Sequence, residues 1–230
     1  MFIHPLYIVF SLPALLLAMF AQWRVRSTYR KYLKHPNARG MTGADAARAL
    51  VRSAGLSIKL ERVGGELSDH YDPRNKTLRL SDGVARSASV GAVAIAAHEV
   101  GHAIQDARAY APLKIRAGMV PVVNFTSWLG PIIFMVGLFL GSTQLATVGV
   151  WFFGGAVIFA LLTLPVELDA SRRAMNLLEE SGILADRQSL SGARKVLSAA
   201  ALTYVAALAQ AISTMMYYMF ILSGNSRRRR

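Results

Sequence analysis

The stretch Ala92-Val93-Ala94-Ile95-Ala96-Ala97-His98-Glu99-Val100-Gly101-His102-Ala103-Ile104-Gln105 decides how the rest of the chain is read. Its small aliphatic residues and lack of proline predict a long helix, capped by Ser87 or Ser89 and running to about Ala109. On a helix, positions four apart share a face, so His98 and His102 can reach one ion with Glu99 beside them. Two imidazoles suit tetrahedral zinc, and zinc lowers the pKa of a bound water to about 7. A carboxylate can then take that water's proton. His98 and His102 are therefore candidate metal ligands, and Glu99 is a candidate general base. Gly101 lets a neighbouring element approach this face closely. The bland alternative is a plain helix with two hydrogen-bonded histidines, which would bury two His and a Glu at a cost with no metal to offset it.

Working outward, the helix lies between apolar runs. The 230 residues are 53% hydrophobic with a mean hydropathy of +0.36, high for a soluble domain. The first run, about Pro5 to Ala21, is followed by Arg24, Arg26, Arg30, Lys31 and Lys34. No Lys or Arg precedes it and no small-residue cleavage site follows, so it reads as a retained anchor rather than a signal peptide. Two further runs, roughly Met119–Leu140 and Leu145–Leu164, are separated by Gly141-Ser142-Thr143-Gln144 and read as a hairpin. Pro121, Asn124 and Pro131 in its first arm are tolerable where neighbouring helices satisfy the backbone. A last run covers about Val196 to Leu222 and ends in Arg227–Arg230. Basic residues flanking such runs set topology and meet anionic headgroups, which accounts for the net charge of +13. Nucleic acid is not an expected partner, because aromatic-plus-basic stripes are lacking. With no cysteine, a disulfide framework, a Cys zinc site and a Cys nucleophile are excluded.

The positive-inside rule puts the polar segments from His35 to Leu113 and from Glu167 to Lys195 in the cytoplasm. Four simple crossings would leave the Arg tail outside, against that rule. The last run therefore either crosses against the bias or stays partly with the catalytic domain, through Thr203, Tyr204 and Gln210. In the first polar segment, Thr42 predicts an N-cap for a helix over Gly43–Ser53, closed by Gly55. Ile58–Val63 and Lys76–Leu80 read as strands, and Tyr71–Asn75 as a turn.

A catalytic zinc site usually takes three protein ligands. His4, His35 and His70 lie in unpromising surroundings: the outer end of the first run, a basic linker and a loop. Glu167 and Asp169, in Pro165-Val166-Glu167-Leu168-Asp169-Ala170-Ser171-Arg172-Arg173, follow directly on an apolar run. Either could face the HEVGH helix, and either could simply favour the start of a helix.

Four segments together resemble the bacterial membrane-bound neutral zinc metallopeptidases of the YugP-like type: Asp69–Arg74, Leu78–Ser81, Ala96–Gln105 and Pro165–Ala174. The resemblance extends from the first anchor through Met41–Arg48 to Ala199–Leu208. It implies a gluzincin arrangement, with His98, His102 and Glu167 as ligands and Glu99 as base. It also suggests that the strand near Leu78–Leu80 is an edge on which extended substrate pairs, the alternative being an ordinary strand of a small sheet. In related gluzincins an Asp four residues after the ligand Glu often orients a ligand His. Here that position is Ser171, and Asp169, Asp106 or a backbone carbonyl are the substitutes. His70, Tyr204 and Arg194 are candidates for stabilising an oxyanion.

The expected fold is mainly α with a small β-sheet (α+β): a zincin-like catalytic domain combined with three to four transmembrane helices. Its expected parts are an anchor with its basic flank (1–34), a first catalytic part (35–117), a transmembrane hairpin (118–165), a second catalytic part (166–195) and a C-terminal apolar helix with its tail (196–230). The expected function is a membrane-embedded zinc metalloendopeptidase with one Zn2+ per chain, using a zinc-activated water. It would be multi-pass in the cell (inner) membrane, with its active site facing the cytoplasm. Its expected partners are the lipid bilayer and a protein or peptide substrate, membrane proteins included. The rival reading is an inactive zinc-binding membrane scaffold or chaperone-like partner, for which Glu99 would have no use. A transporter fits worse, because the apolar runs offer no acidic pair at mid-depth.

Overall fold

The computed structural model describes the backbone of residues 5–227 and the side chains of residues 7–224. His4 and Arg228 to Arg230 lie outside the described residues. The elements in order are α1 (Pro5–Leu33), α2 (Gly43–Ser53), β1 (Lys59–Val63), β2 (His70–Asp72), β3 (Thr77–Ser81), α3 (Asp82–Arg86), α4 (Val90–Ala107), α5 (Ala111–Phe139), α6 (Thr143–Glu180) and α7 (Arg187–Arg227). The fold is mostly helical with one small sheet, as expected. Among the described residues, four helices are long and apolar enough to cross a membrane, over Tyr7–Leu33, Ala111–Phe139, Thr143–Glu180 and Arg187–Gly224.

The chain divides into two compact units. The apolar unit comprises Ile115–Leu164, together with the chain up to Phe20 and from Thr203 onward. Many of its large side chains point outward: Trp128 is 66% exposed and Trp151 74%. Such a surface suits lipid, where inward-facing apolar residues gain nothing over outward-facing ones. Association then depends on close packing of small residues. A Cβ on Gly137 would sit 2.3 Å from the Ala146 nitrogen, and one on Gly149 would sit 2.4 Å from the Phe134 nitrogen. Those contacts hold α5 on α6 at a separation only glycine allows. The α5–α6 turn uses Gly141 at φ +66°, and Ser142 Oγ accepts from the Leu145 N–H at 3.2 Å. Tyr218 of α7 stacks on Phe134, with ring centroids 4.3 Å apart. Tyr217 meets Tyr7 of α1 edge-on at 5.1 Å.

The second unit comprises Ala21–Lys114 and Pro165–Leu202. Its core is built on α4, whose Ala92, Val93, Ala96, Ala97 and Val100 are fully buried. Around them cluster Ala46, Ala47 and Leu50 of α2, Leu78 and Leu80 of β3, Ala174 and Leu178 of α6, and Ala193 and Leu197 of α7. Burying each of these leucines contributes on the order of 2 kcal/mol. Alanine predominates on α4 because neighbours crowd it closely. Ser89, not Ser87, caps α4 by accepting from the Ala92 N–H at 3.2 Å, while Ser87 donates to Ser89 Oγ. Thr42 caps α2 in a capping box with Asp45, and Gly55 follows the helix at φ +67°.

The sheet order is β1-β3-β2, with β1 parallel and β2 antiparallel to β3. This corrects two expectations. The strand over Leu78–Leu80 is central, with both edges paired, so it offers no free edge to substrate. The stretch from Tyr71 is not all turn: His70–Asp72 is strand β2, and the turn occupies 73–76. Three polar residues carry no strand periodicity of their own. Only pairing with β3 makes them a strand, and that pairing is not local information.

Candidate metal centre

His98 and His102 project from one face of α4, with ring centroids 4.8 Å apart and planes at 85°. Glu167 lies on α6. Its Oε2 is 3.2 Å from His98 Nε2 and 3.4 Å from His102 Nε2. Donor atoms of the three residues all lie within 4.8 Å of one another, which makes them a possible metal-holding group among the described residues. A tetrahedral ion with bonds of 2.0–2.2 Å needs donors about 3.4 Å apart, so both histidine–glutamate separations fit. The chemistry fits too, because two imidazoles and one carboxylate are suitable zinc donors.

The close approach of the two helices is built into the sequence. A Cβ on Gly101 would sit 2.6 Å from the Ala170 carbonyl oxygen, so only glycine admits α6 here. The site is dry. The side chain of Glu167 is 3% exposed, and those of His98 and His102 are 13% and 12%. Burial disfavours a charged His102, yet hydrogen bonding to Glu167 and the charges of Glu99 and Glu167 outweigh it and raise its pKa. Glu99 is buried on α4 next to His98.

Each histidine ring also has a partner on its far nitrogen, as metal-ligating histidines generally do. His98 Nδ1 is 3.2 Å from Ser171 Oγ, so Ser171 reaches the histidine from the position where related gluzincins often carry Asp. His102 Nδ1 is 3.0 Å from Gln105 Oε1. Gln105 in turn donates through Nε2 to the Val166 carbonyl and to Asp169 Oδ2, both at 2.8 Å. Gln105 was not among the sequence candidates. The available signal was a polar residue three positions after His102 on an otherwise apolar helix.

Asp169, Asp106, His70, His35 and Arg194 are not part of this group and have other partners. Asp169 faces Gln105 and pairs with Arg172 and, at 2.6 Å, with Arg173. Asp106 accepts from Tyr71 O–H at 2.9 Å, which ties β2 to α4. His70 donates from Nδ1 to the Ser68 carbonyl at 2.7 Å. The His35 ring packs against Tyr32. Arg194 is exposed and pairs with Glu179 at 3.8 Å. Tyr204 belongs to the apolar unit. Asp69 accepts from the Ser81 N–H at 2.7 Å. Burial above all pushes its carboxyl up, the Ser81 hydrogen bonds oppose this, and the charge of Glu99 adds to it.

Comparison with known proteins gives a consistent picture. Residues 7–223 match the family model described as "Putative neutral zinc metallopeptidase". The chain is 42% identical over 221 residues to the "Putative membrane protease YugP" of Bacillus subtilis (strain 168), covering 95% of this chain and 98% of that one. No solved structure matches significantly.

Proposed function

Because this chain belongs to the neutral zinc metallopeptidase family, we propose that it is a membrane-embedded zinc metalloendopeptidase. His98, His102 and Glu167 would hold one zinc ion, with Glu99 as general base. One observation carries this: donor atoms of His98, His102 and Glu167 from α4 and α6 lie within 4.8 Å of one another, both histidine–glutamate separations match the edge of a zinc tetrahedron, and the Glu of the HEVGH motif is buried on the same helix as the histidines. When bound, zinc supplies Lewis-acid polarisation of the scissile carbonyl and acidifies water. The chain's own residues do the rest. Glu99 takes a proton from the attacking water and returns it to the departing amine, so it ends the cycle as it began. Low exposure of the ligand side chains keeps competing water out and strengthens local electrostatics.

The site of substrate pairing moves from β3 to β2. In the order β1-β3-β2, strand β2 is an edge, and Tyr71 ties it to the active-site helix through Asp106. An extended peptide adding to that edge would gain main-chain hydrogen bonds with little regard to side chains. Four candidate spans and a relative named as a membrane protease support a multi-pass protein of the cell membrane. The basic flanks favour a cytoplasmic site. In sequence, Glu167 follows Leu164 by three residues and α4 ends four residues before α5. Membrane proteins or extended chains presented at the bilayer are accordingly the proposed substrates.

The test compares wild type with Glu99→Gln for zinc content and for cleavage of a panel of unfolded and membrane-protein substrates. Zinc in both, with cleavage by wild type alone, is the expected result. Zinc in both and cleavage by neither would instead favour an inactive zinc-binding scaffold.

A further inference from the structure

Gln105 is fully buried, and its amide has two unlike ends. Toward α6 it meets the Val166 carbonyl oxygen and the Asp169 carboxylate, each at 2.8 Å. A carbonyl oxygen can only accept, and a carboxylate paired with Arg172 and Arg173 accepts as well. Two acceptors on one side fix which way the amide lies, so its NH2 faces α6. Its oxygen therefore faces His102 Nδ1 at 3.0 Å. An amide oxygen cannot donate, so Nδ1 carries a proton and is not free to bind a metal. That leaves Nε2, 3.4 Å from Glu167 Oε2, as the nitrogen that gives its lone pair when a metal takes the place between them.

Resting on the metal-site reading above, we propose that Gln105 is a positioning residue that sets the tautomer of His102 and presents Nε2 as a metal donor. Its two α6 partners flank Glu167, one residue before it and two after. The same amide thus registers the third ligand against the helix that carries the first two. The arrangement at His98 differs in kind. Ser171 Oγ can donate or accept, so it steadies that ring without dictating where its proton sits. Val166 also contributes through its backbone oxygen, which no substitution of its side chain removes.

The ring protonation is measured on the full-length zinc-loaded wild type in detergent micelles, with histidine ring nitrogens labelled with 15N. His102 is expected to bind zinc through Nε2 with its proton on Nδ1, and zinc bound through Nδ1 would overturn the inference without any variant. Zinc affinity is then measured by chelator competition for wild type, Gln105→Met and Ser171→Ala, with circular dichroism as a control for folding. Gln105→Met is expected to bind zinc about 10- to 100-fold more weakly while keeping its helix content, and to lose the tautomer preference at His102. Ser171→Ala should leave the His102 tautomer unchanged. A wild type that binds zinc, with Gln105→Met binding it equally well, overturns the role of Gln105 alone. A wild type that takes up no zinc overturns the metal-site reading beneath it.

Discussion

Gly101 of α4 lies directly against the backbone of Ala170 in α6, where an added Cβ would be 2.6 Å from the Ala170 carbonyl oxygen. Neither atom can yield cheaply, because both are fixed by helices. Gly101→Ala must push the two helices apart, and they carry the two halves of the donor set. The expected cost is about 1–3 kcal/mol of stability, with zinc affinity falling alongside. Thermal melts and chelator competition on the purified variant would show both. Unchanged affinity in the Gly101→Ala variant would mean the helix spacing does not govern the site.

Glu167 and Asp169 make contrasting predictions. Glu167→Gln removes one of three donors and should abolish stable zinc retention after dialysis. Asp169→Asn keeps an acceptor for Gln105 while weakening the pairs with Arg172 and Arg173. It should retain zinc and lose some thermal stability. Metal analysis of the two variants side by side separates them. Retention by Glu167→Gln with loss by Asp169→Asn would reverse the assignment.

Leu50 is fully buried between α2 and the helix bearing the histidines. Leu50→Ala is expected to cost about 2–5 kcal/mol through lost transfer energy and the cavity left behind. Denaturant unfolding in detergent micelles, followed by circular dichroism, provides the measurement. The neighbouring surface change Arg52→Ala should stay within about 0.5 kcal/mol of wild type.

The capping box of α2 gives a pH dependence. Hydrogen bonding to Thr42 is the chief cause holding the Asp45 carboxyl below the usual aspartate value. A depressed folded-state pKa adds stability above the unfolded value and loses it as pH falls through the folded one. Thr42→Ala should therefore lower Tm near neutrality by an amount equivalent to about 1 kcal/mol. That gap should narrow in acid, below the ordinary aspartate range. A gap independent of pH would assign the effect to something other than the box.

Topology can be tested directly, because the chain has no cysteine to remove. Single cysteines at Ser142, in the α5–α6 turn, and at Ser181, after α6, should react oppositely with a membrane-impermeant thiol reagent. Ser142→Cys is expected to label in intact cells and Ser181→Cys only after permeabilisation. The reverse pattern would place the site outside the cytoplasm.

Much of this molecule could be read locally. His98 and His102 lie four residues apart in an alanine-rich segment, and helical periodicity alone puts them on one face. The apolar runs announce membrane-length helices by composition. Thr42 and Gly55 mark the ends of α2 because capping is a property of a few adjacent residues. Each of these features is decided within one or two helical turns.

Tertiary structure decided what depends on distant segments meeting. Glu167 and Asp169 are two residues apart, hence about 200° apart around a helix, so only one of them can point at the histidine pair while the other meets Gln105. Sequence spacing could not say which, and the rotation of α6 against Gly101 did. The order β1-β3-β2 put Leu78–Leu80 in the centre and made the polar triplet His70–Asp72 an edge. Gln105 showed no role until Val166 and Asp169 were brought beside it from 61 and 64 residues away. A hydrogen bond between such segments leaves no periodic trace in either of them, so its partners become visible only once the chain is folded.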